Sequence, residues 1–314
     1  MKWGIIGAGR IAHRFVNSLE HFDDCELYAV SCRTQTKADA FKEQHHACVA
    51  YAGFDKIVTD SNVDAVYIAT PHQYHFEWII KCLEAKKAVL CEKPACMNSN
   101  EMKQVMQLAK ENHVLFMEAM KTRFIPLYKE IKQRIINQEI GKILSIETSL
   151  CNEMTLDMIK DSYLMDPNSG GVLTDTGIYC IAWLEDYLKD SYTIDSVETN
   201  IQNNINLYTN AKLHFGDVSA VMECAMDRKK DRHAIIYGIK GKIVVEDLHR
   251  PQKAIIETNH VEELNIPYIV DDFYGQLEEF IDLWKHNQTE SEIMSLDSSL
   301  RCAQIMDAIQ EHVR

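Results

Sequence analysis

The segment Gly7-Ala8-Gly9-Arg10-Ile11-Ala12 narrows the possible folds more than any other part of the chain. It follows a short apolar run, Trp3-Gly4-Ile5-Ile6, and opens a stretch in which Ile11, Phe15 and Leu19 recur four residues apart. A strand buried on both faces reads as a continuous apolar run, whereas recurrence every three to four residues marks one face of a helix. The glycines therefore stand at a strand-to-helix turn. There Gly7 permits the tight bend, Gly9 has no side chain to block a pyrophosphate, and Ala12 lets the helix lie close to the sheet. The helix start adds free N–H groups and the positive end of its dipole, which suit phosphate. Gly7, Gly9, Arg10 and Ile11 are thus the expected cradle for a dinucleotide.

The same rhythm continues to about residue 121. Strand patterns over 26–30, 65–69, 88–91 and 114–118 alternate with helical patterns over 37–44, 76–85 and 101–112. Alternation of this kind implies right-handed βαβ units and a parallel sheet, hence a Rossmann dinucleotide-binding domain over 1–121. Beyond it the pattern changes. A helix over 126–138 precedes strand patterns over 142–150, 196–207, 211–215, 219–226, 234–239 and 242–246, interrupted by a helical stretch over 171–188. Amphipathic helices over 273–285 and 296–312 close the chain. Strands joined by short turns pair mainly antiparallel. The expectation is an α/β protein whose second domain, 122–314, is an α+β unit with an open, mainly antiparallel sheet for substrate binding and oligomerisation. Alternating apolar positions on that sheet predict a homodimer or higher homo-oligomer through its open face.

Composition removes several classes of function. The chain has 314 residues and a formal net charge of −14, with no dense Lys/Arg run beyond Arg228-Lys229-Lys230-Asp231-Arg232, which reads as a solvated turn. No nucleic-acid partner is expected. No stretch reaches the ~18–20 apolar residues of a membrane span, so no membrane partner is expected either. The first apolar run is too short for a signal peptide, which makes the cytoplasm the expected location. The ten cysteines form no CxxC pair. Most read as reduced, buried thiols, and no metal is expected at them or at His72 and His75.

Cofactor choice turns on the end of the second strand, Ser31-Cys32-Arg33-Thr34. An NAD site usually places an acid there to hold the ribose hydroxyls. Here Asp23, Asp24 and Glu26 precede or begin the strand. The planar fork of Arg33 suits a 2′-phosphate, with Ser31, Thr34 and Lys37 assisting. Otherwise Arg33 is a solvent-exposed loop residue. NADP is therefore expected to be preferred, with NAD possible.

Ligands of open α/β sheets bind beyond the carboxyl ends of the strands. Two loops lie there: Ala69-Thr70-Pro71-His72-Gln73-Tyr74-His75 and Cys91-Glu92-Lys93-Pro94. The proline holds Lys93 extended, aimed into the crevice, although a snorkelling surface lysine would fit the same pattern. Gly170-Gly171 leads to Asp175 and Tyr179, which on a helix share one face. By itself such a pair is also compatible with ordinary surface. A carboxylate, a phenol and a lysine make a proton-handling set for alcohol oxidation.

Taken in order, these motifs resemble the Gfo/Idh/MocA family of glucose-fructose oxidoreductases and inositol dehydrogenases over essentially the whole chain. The resemblance rests on Gly7-x-Gly9-x-x-Ala12, Thr70-Pro71 with His75, Glu92-Lys93-Pro94, Glu118-Ala119-Met120 with Arg123-Phe124, and Gly170-Gly171 leading to Asp175-x-Gly177-x-Tyr179. The branch it looks most like is that of the NADP-linked dihydrodiol and D-xylose dehydrogenases, which carry Tyr where inositol dehydrogenases usually carry His. The resemblance implies a catalytic Lys93, a general acid/base Tyr179 with Asp175 as partner, and a cis peptide bond between Lys93 and Pro94. It implies cofactor contacts at Thr70, Pro71, His75, Glu92 and Lys93, and substrate contacts at Lys93, Lys121, Arg123, Asp175 and Tyr179. Where the branch often has Trp after Glu-Ala-Met, this chain has Lys121, and Ser169 stands in for one glycine of the usual triple run. A cationic Lys121 in the crevice would favour a polar sugar-like substrate over an aromatic diol, unless the side chain points to water. The implied activity is NAD(P)-dependent hydride transfer to or from a secondary alcohol or carbonyl of a small polar molecule. The alternatives on this fold are a non-catalytic dinucleotide-binding regulator and a redox-neutral NAD-dependent glycosidase.

Overall fold

The structure is a computed structural model that describes residues 1–160 and 162–312. It divides into two compact units. The first joins Met1–Lys121 to Phe273–Leu300; the second joins Thr122–Asp272 to the chain from Arg301 onward.

The first unit alternates strands and helices as the apolar pattern requires: β1 (Lys2–Ile6), α1 (Arg10–Leu19), β2 (Glu26–Cys32), α2 (Gln35–His45), β3 (Val49–Ala52), α3 (Asp55–Thr59), β4 (Ala65–Ile68), α4 (His75–Glu84), β5 (Ala88–Glu92), α5 (Ser99–Asn112) and β6 (Phe116–Ala119). All six strands are parallel, in the order β3-β2-β1-β4-β5-β6. This is the doubly wound order, and its switch point lies between β1 and β4. Every residue of β4 and β5 is buried, which is why both read as unbroken apolar runs. Between the sheet and α1, the rings of Phe15 and Tyr67 stack at 3.9 Å and Trp3 meets Phe15 edge-on at 5.2 Å. The pair β3 and α3 has no counterpart among the sequence expectations. β3 is a four-residue edge strand, and none of its residues is fully buried; its apolar run, Val49-Ala50-Tyr51-Ala52, is only as long as the shortest strands, and a run that short is ambiguous.

The second unit contains α6 (Pro126–Ile136), β7 (Ile143–Cys151), α7 (Leu156–Ile159), α8 (Ile178–Tyr187) and strands β8 (Tyr192–Gln202), β9 (Ile205–Phe215), β10 (Val218–Ala225), β11 (His233–Gly238), β12 (Gly241–Glu246), β13 (Lys253–Glu257) and β14 (Val261–Asn265). The eight strands run in the order β14-β13-β12-β11-β7-β10-β9-β8. Only β7 and β10 pair parallel; the other neighbours are antiparallel. One face is a cross-strand row of Leu213, Ala220, Ile146, Ile236, Ile243 and Ile256, all buried. Helix α8 packs on β7 and β10 and is buried from Ile178 to Asp186, so it is apolar nearly all round.

Three expectations need correction. The strand expected over 196–207 is two strands. Asn203 and Asn204, at φ 51° and 63°, turn the chain between β8 and β9, the left-handed pair that a tight hairpin demands. The helix expected from 171 to 188 begins with a π-helical turn, Leu173–Gly177, before α8. The stretch 273–300 belongs with the first unit rather than with everything after residue 121. There α9 (Tyr274–Lys285) sets Phe280 against Trp3 at 5.1 Å and Tyr274 against Phe22 at 4.8 Å, and the N–H of Phe116 in β6 donates to the Thr289 carbonyl at 3.2 Å. The last helix, α10 (Leu296–Glu311), closes the described chain.

Candidate functional site

Parallel strands present their carboxyl ends along one edge. In the first unit that edge carries, in spatial order, Arg33 after β2, Gly7 after β1, Thr70 after β4, Lys93 after β5 and Lys121 after β6. Gly7 takes φ +98°, and a Cβ there would stand 2.7 Å from the Ala69 carbonyl oxygen. The bend and the close approach of two loops both require glycine. Gly9 is different: a Cβ built there meets nothing within 4 Å. Packing does not call for its missing side chain; the space in front of α1 does. No side chain caps the N-terminus of α1, and its first turn holds no acid. With Ala12 fully buried against the sheet, the turn is a cradle that fits a pyrophosphate.

At the end of β2, Arg33 and Thr34 are exposed. The Thr34 hydroxyl caps α2 by accepting from the Lys37 N–H at 3.4 Å. Ser31 is a correction. It is fully buried, and its hydroxyl donates to the Gly53 carbonyl, so it braces β2 and is not available to a phosphate.

The loop after β5 is fixed from several sides. The Lys93–Pro94 bond is cis, as the resemblance implied. The Ala95 N–H donates to Glu118 Oε1 at 2.9 Å. His75 lies with Nδ1 2.9 Å from the Pro94 carbonyl and Nε2 2.7 Å from the Thr70 carbonyl. It is fully buried; burial pushes its pKa down while the two carbonyls pull it up. His75 therefore ties the two loops together and does not line the crevice as expected. Glu92 accepts from the Tyr67 hydroxyl, and burial raises its pKa against the pull of Tyr67, Lys93 and Lys121. Lys93 is 9 % exposed and Lys121 only 4 %. The Lys121 ammonium lies over the Phe273 ring at 5.2 Å, which rules out a side chain pointing to water. Thr70 is half-buried, and its hydroxyl oxygen has no hydrogen bond among the described residues.

In the second unit, Gly170 and Gly171 have no room for side chains. A Cβ on Gly170 would be 2.2 Å from the Leu164 carbonyl oxygen, and Gly171 takes φ +95°. They lead into the π-helical turn, a form common at functional sites. Asp175, half-exposed within that turn, accepts from the Tyr163 hydroxyl at 3.3 Å. Tyr179 is 7 % exposed, with its ring 5.7 Å from that of His249. Arg123 is a further correction. It is 1 % exposed and bonds Glu185 Oε2 at 2.6 Å and the Ala182 carbonyl at 2.7 Å. Its charge is used inside the protein, so it is a brace for α8 rather than a substrate contact. Tyr67, Glu118 and His249 are the residues that sequence reasoning missed. Glu118 lay inside a quoted motif; Tyr67 and His249 carry no local signal.

Residues 1–120 match the family model described as "Oxidoreductase family, NAD-binding Rossmann fold", and residues 128–244 match that of the "GFO/IDH/MocA C-terminal domain". The chain is 30 % identical over 323 residues to scyllo-inositol 2-dehydrogenase (NADP(+)) IolU of Bacillus subtilis, covering 100 % of this chain and 97 % of that one. It is 28 % identical over 329 residues to trans-1,2-dihydrobenzene-1,2-diol dehydrogenase of Xenopus tropicalis, covering 99 % and 97 %. Among solved structures, the 3-ketoreductase KijD10 of Actinomadura kijaniata, in complex with NADP and TDP-benzene, superposes with a TM-score of 0.90 at 24 % identity over 99 % and 97 % of the two chains. Aldose-aldose oxidoreductase of Caulobacter crescentus, complexed with glycerol, gives 0.90 at 19 % over 100 % and 97 %. At these identities the structural likenesses speak for the fold.

The two glycines of the turn should respond differently to substitution. Gly9→Val is expected to change stability by no more than about 1 kcal/mol yet weaken NADP binding by at least about tenfold, or ~1.4 kcal/mol. Gly7→Ala should destabilise by at least ~1–3 kcal/mol, the strain of its backbone conformation being joined by the clash of the new Cβ with the Ala69 carbonyl. Urea denaturation and fluorescence titration with NADP separate the two. Unchanged binding in Gly9→Val would show that the space before α1 is not the phosphate cradle.

Proposed function

The chain belongs to the Gfo/Idh/MocA oxidoreductase family, and on that premise we propose that it is an NADP-preferring dehydrogenase or reductase acting on a secondary alcohol, or the matching carbonyl, of a polyol or sugar-like molecule. The observation that carries this reading is the buried Lys93, held by the braced loop after β5 on the same sheet edge as the open cradle at Gly9. Relatives whose names specify inositol and dihydrodiol substrates support the substrate class.

Within this reading the dinucleotide supplies hydride chemistry. The N–H groups at the start of α1 bind its pyrophosphate, and Arg33 binds its 2′-phosphate. Lys93 meets the substrate oxygen and stabilises the negative charge that develops there. Tyr179 holds or releases the proton at its phenolic oxygen. A tyrosine with an ordinary pKa near ~10 needs a nearby cation to do so near neutrality. Asp175 orients Tyr179. The cytoplasm is the location we assign, on the strength of ten cysteines none of which forms a disulfide. No helix among the described residues is long and apolar enough to cross a membrane.

The open face of the eight-stranded sheet carries the oligomer in this proposal. Its central cross-strand row is Val221, Glu147, Ile235, Val244 and Ile255, all half-buried, an apolar strip with one acid that a second copy would cover. Sedimentation at micromolar concentration should show a dimer or larger species; monomer alone would exclude this interface.

Arg33→Asp should reverse the preference for NADP over NAD, as read from the ratio of the two binding constants. Equal affinities in the unaltered protein would sink the cofactor assignment.

Lys93→Met should lower turnover by ~100- to 1000-fold while NADP affinity stays within about twofold, since the cradle and Arg33 do not use it. Tyr179→Phe should cost ~100- to 10,000-fold. Turnover of a polyol panel, followed at the reduced-nicotinamide band, measures this. A Lys93→Met variant retaining more than about a tenth of the activity, far outside that range, would favour a dinucleotide-binding regulator.

A further inference from the structure

Two imidazoles join the helices that begin at the cofactor end of the first unit. His13 stands on α1 and His45 ends α2, and His13 Nδ1 shares a hydrogen bond with His45 Nε2 at 2.6 Å. Their rings lie 4.9 Å apart, and each meets the buried Phe41 ring at 4.6 Å. Both imidazoles are half-buried. All of these groups lie in the first unit.

The pair stands close behind both phosphate-binding ends. On α1, the His13 N–H donates to the Gly9 carbonyl at 3.4 Å, so the imidazole is one helical turn, ~5.4 Å along the axis, beyond the pyrophosphate cradle. On α2, Lys37, Phe41 and His45 recur four residues apart and form one stripe. His13 touches the last two of that stripe. Lys37, at its other end, donates its N–H to the Thr34 cap beside Arg33. Arg33 and Lys37 are exposed, where salt screens charge; a half-buried cation behind them is screened less.

The charges facing the pair come from both helices. Burial, and then Lys37, push the His13 pKa down. Burial, His13 and His46 push that of His45 down, against the pull of Glu20 just past α1. Without cofactor the pair is therefore mainly neutral at about pH 7. One added proton fits within an N–H···N bond, whereas a second would set two N–H groups against each other, so the two rings titrate as a unit that takes up one proton.

We propose that His13 and His45 are a cationic element of the cofactor site besides Arg33 and Lys37, a pair that takes up one proton as NADP docks and so favours NADP over NAD. The inference rests on the reading that places the 2′-phosphate at Arg33. Negative charge brought near an imidazole favours its protonated form, and NADP brings more of it than NAD. The proton comes from solvent, and no other reactant is consumed. By linkage, uptake of a proton on binding makes affinity rise as pH falls.

The experiment uses the full chain with its histidines labelled with nitrogen-15. NMR titrations are run on the free protein and on the protein saturated with NADP+ or with NAD+, and the two signals are identified by their loss in His13→Gln and His45→Gln. NADP+ should raise the midpoint of the pair by about one pH unit, and NAD+ should raise it less. An unmoved midpoint with NADP+ bound, or equal movement with both cofactors, overturns the proposal. Calorimetry in buffers of different ionisation heat needs no variant. At about pH 7 a phosphate monoester with its second pKa near ~6 is already mostly dianionic, so binding of NADP+ should draw protons from solvent; release of protons overturns the proposal. At about pH 6 the preference for NADP+ over NAD+ should fall about two- to threefold in His13→Gln/His45→Gln. A merely structural clasp would alter both affinities together, so an unchanged preference also overturns it. Equal affinities for NADP+ and NAD+ in the unaltered protein would instead fell the cofactor reading, and the proposal with it.

Discussion

The carboxyl ends of β4, β5 and β6 bring together three groups that would be costly to bury alone: His75, Glu92 and Glu118. An unpaired buried charge or polar atom forfeits its hydration without return, so each must find a partner. Glu118 takes the N–H of Ala95, His75 spans the carbonyls of Thr70 and Pro94, and Glu92 takes the hydroxyl of Tyr67. These bonds tie the loop after β5 to strand β6 and to the loop after β4, and strand β4 to strand β5. Lys93 lies in the loop after β5, so its backbone is held by groups that need that loop where it is. Hydrogen bonds among buried polar groups rigidify their surroundings, and a preorganised cation is what charge stabilisation requires.

The second unit meets the same constraint around α8. Glu185 and Asp186 stand on a helix buried nearly all round. Glu185 is matched by Arg123 and by Lys189, and Asp186 by the Tyr128 hydroxyl and Lys132. Removing one member of such a set leaves an uncompensated buried charge, typically at a cost of ~3–5 kcal/mol. The pairs anchor the C-terminal part of α8, while its N-terminal end is set by Gly177. A Cβ there would stand 2.9 Å from the Cys224 sulfur on β10. Tyr179 is thus placed between two fixed points on one helix.

Much of this was legible in the sequence because it is set by local rules. Apolar runs at period two or unbroken, apolar residues four apart, and glycines where a turn must bend were enough to expect the parallel sheet, the cradle at Gly7 and Gly9, and the antiparallel second sheet. The same rules fail where local pattern is weak. β3, β13 and β14 are short, and half or more of each lies outside the fully buried core. The Asn203-Asn204 turn lacks the glycine that usually announces it.

What only the tertiary structure decided is which partner each side chain meets. The sequence determined that 273–285 has an apolar face; the fold decided that this face covers Trp3 in the first unit. The sequence supplied Ser31, His75 and Arg123 as polar groups in suggestive places. The fold committed them to Gly53, to two loop carbonyls and to Glu185, leaving none for a ligand. It also turned Lys121 inward over Phe273 and set His249 against Tyr179 across a long stretch of chain. Periodicity and turn chemistry act over a few residues and can be read along the chain. Pairing of buried charges acts through space and is known only once the chain has closed on itself.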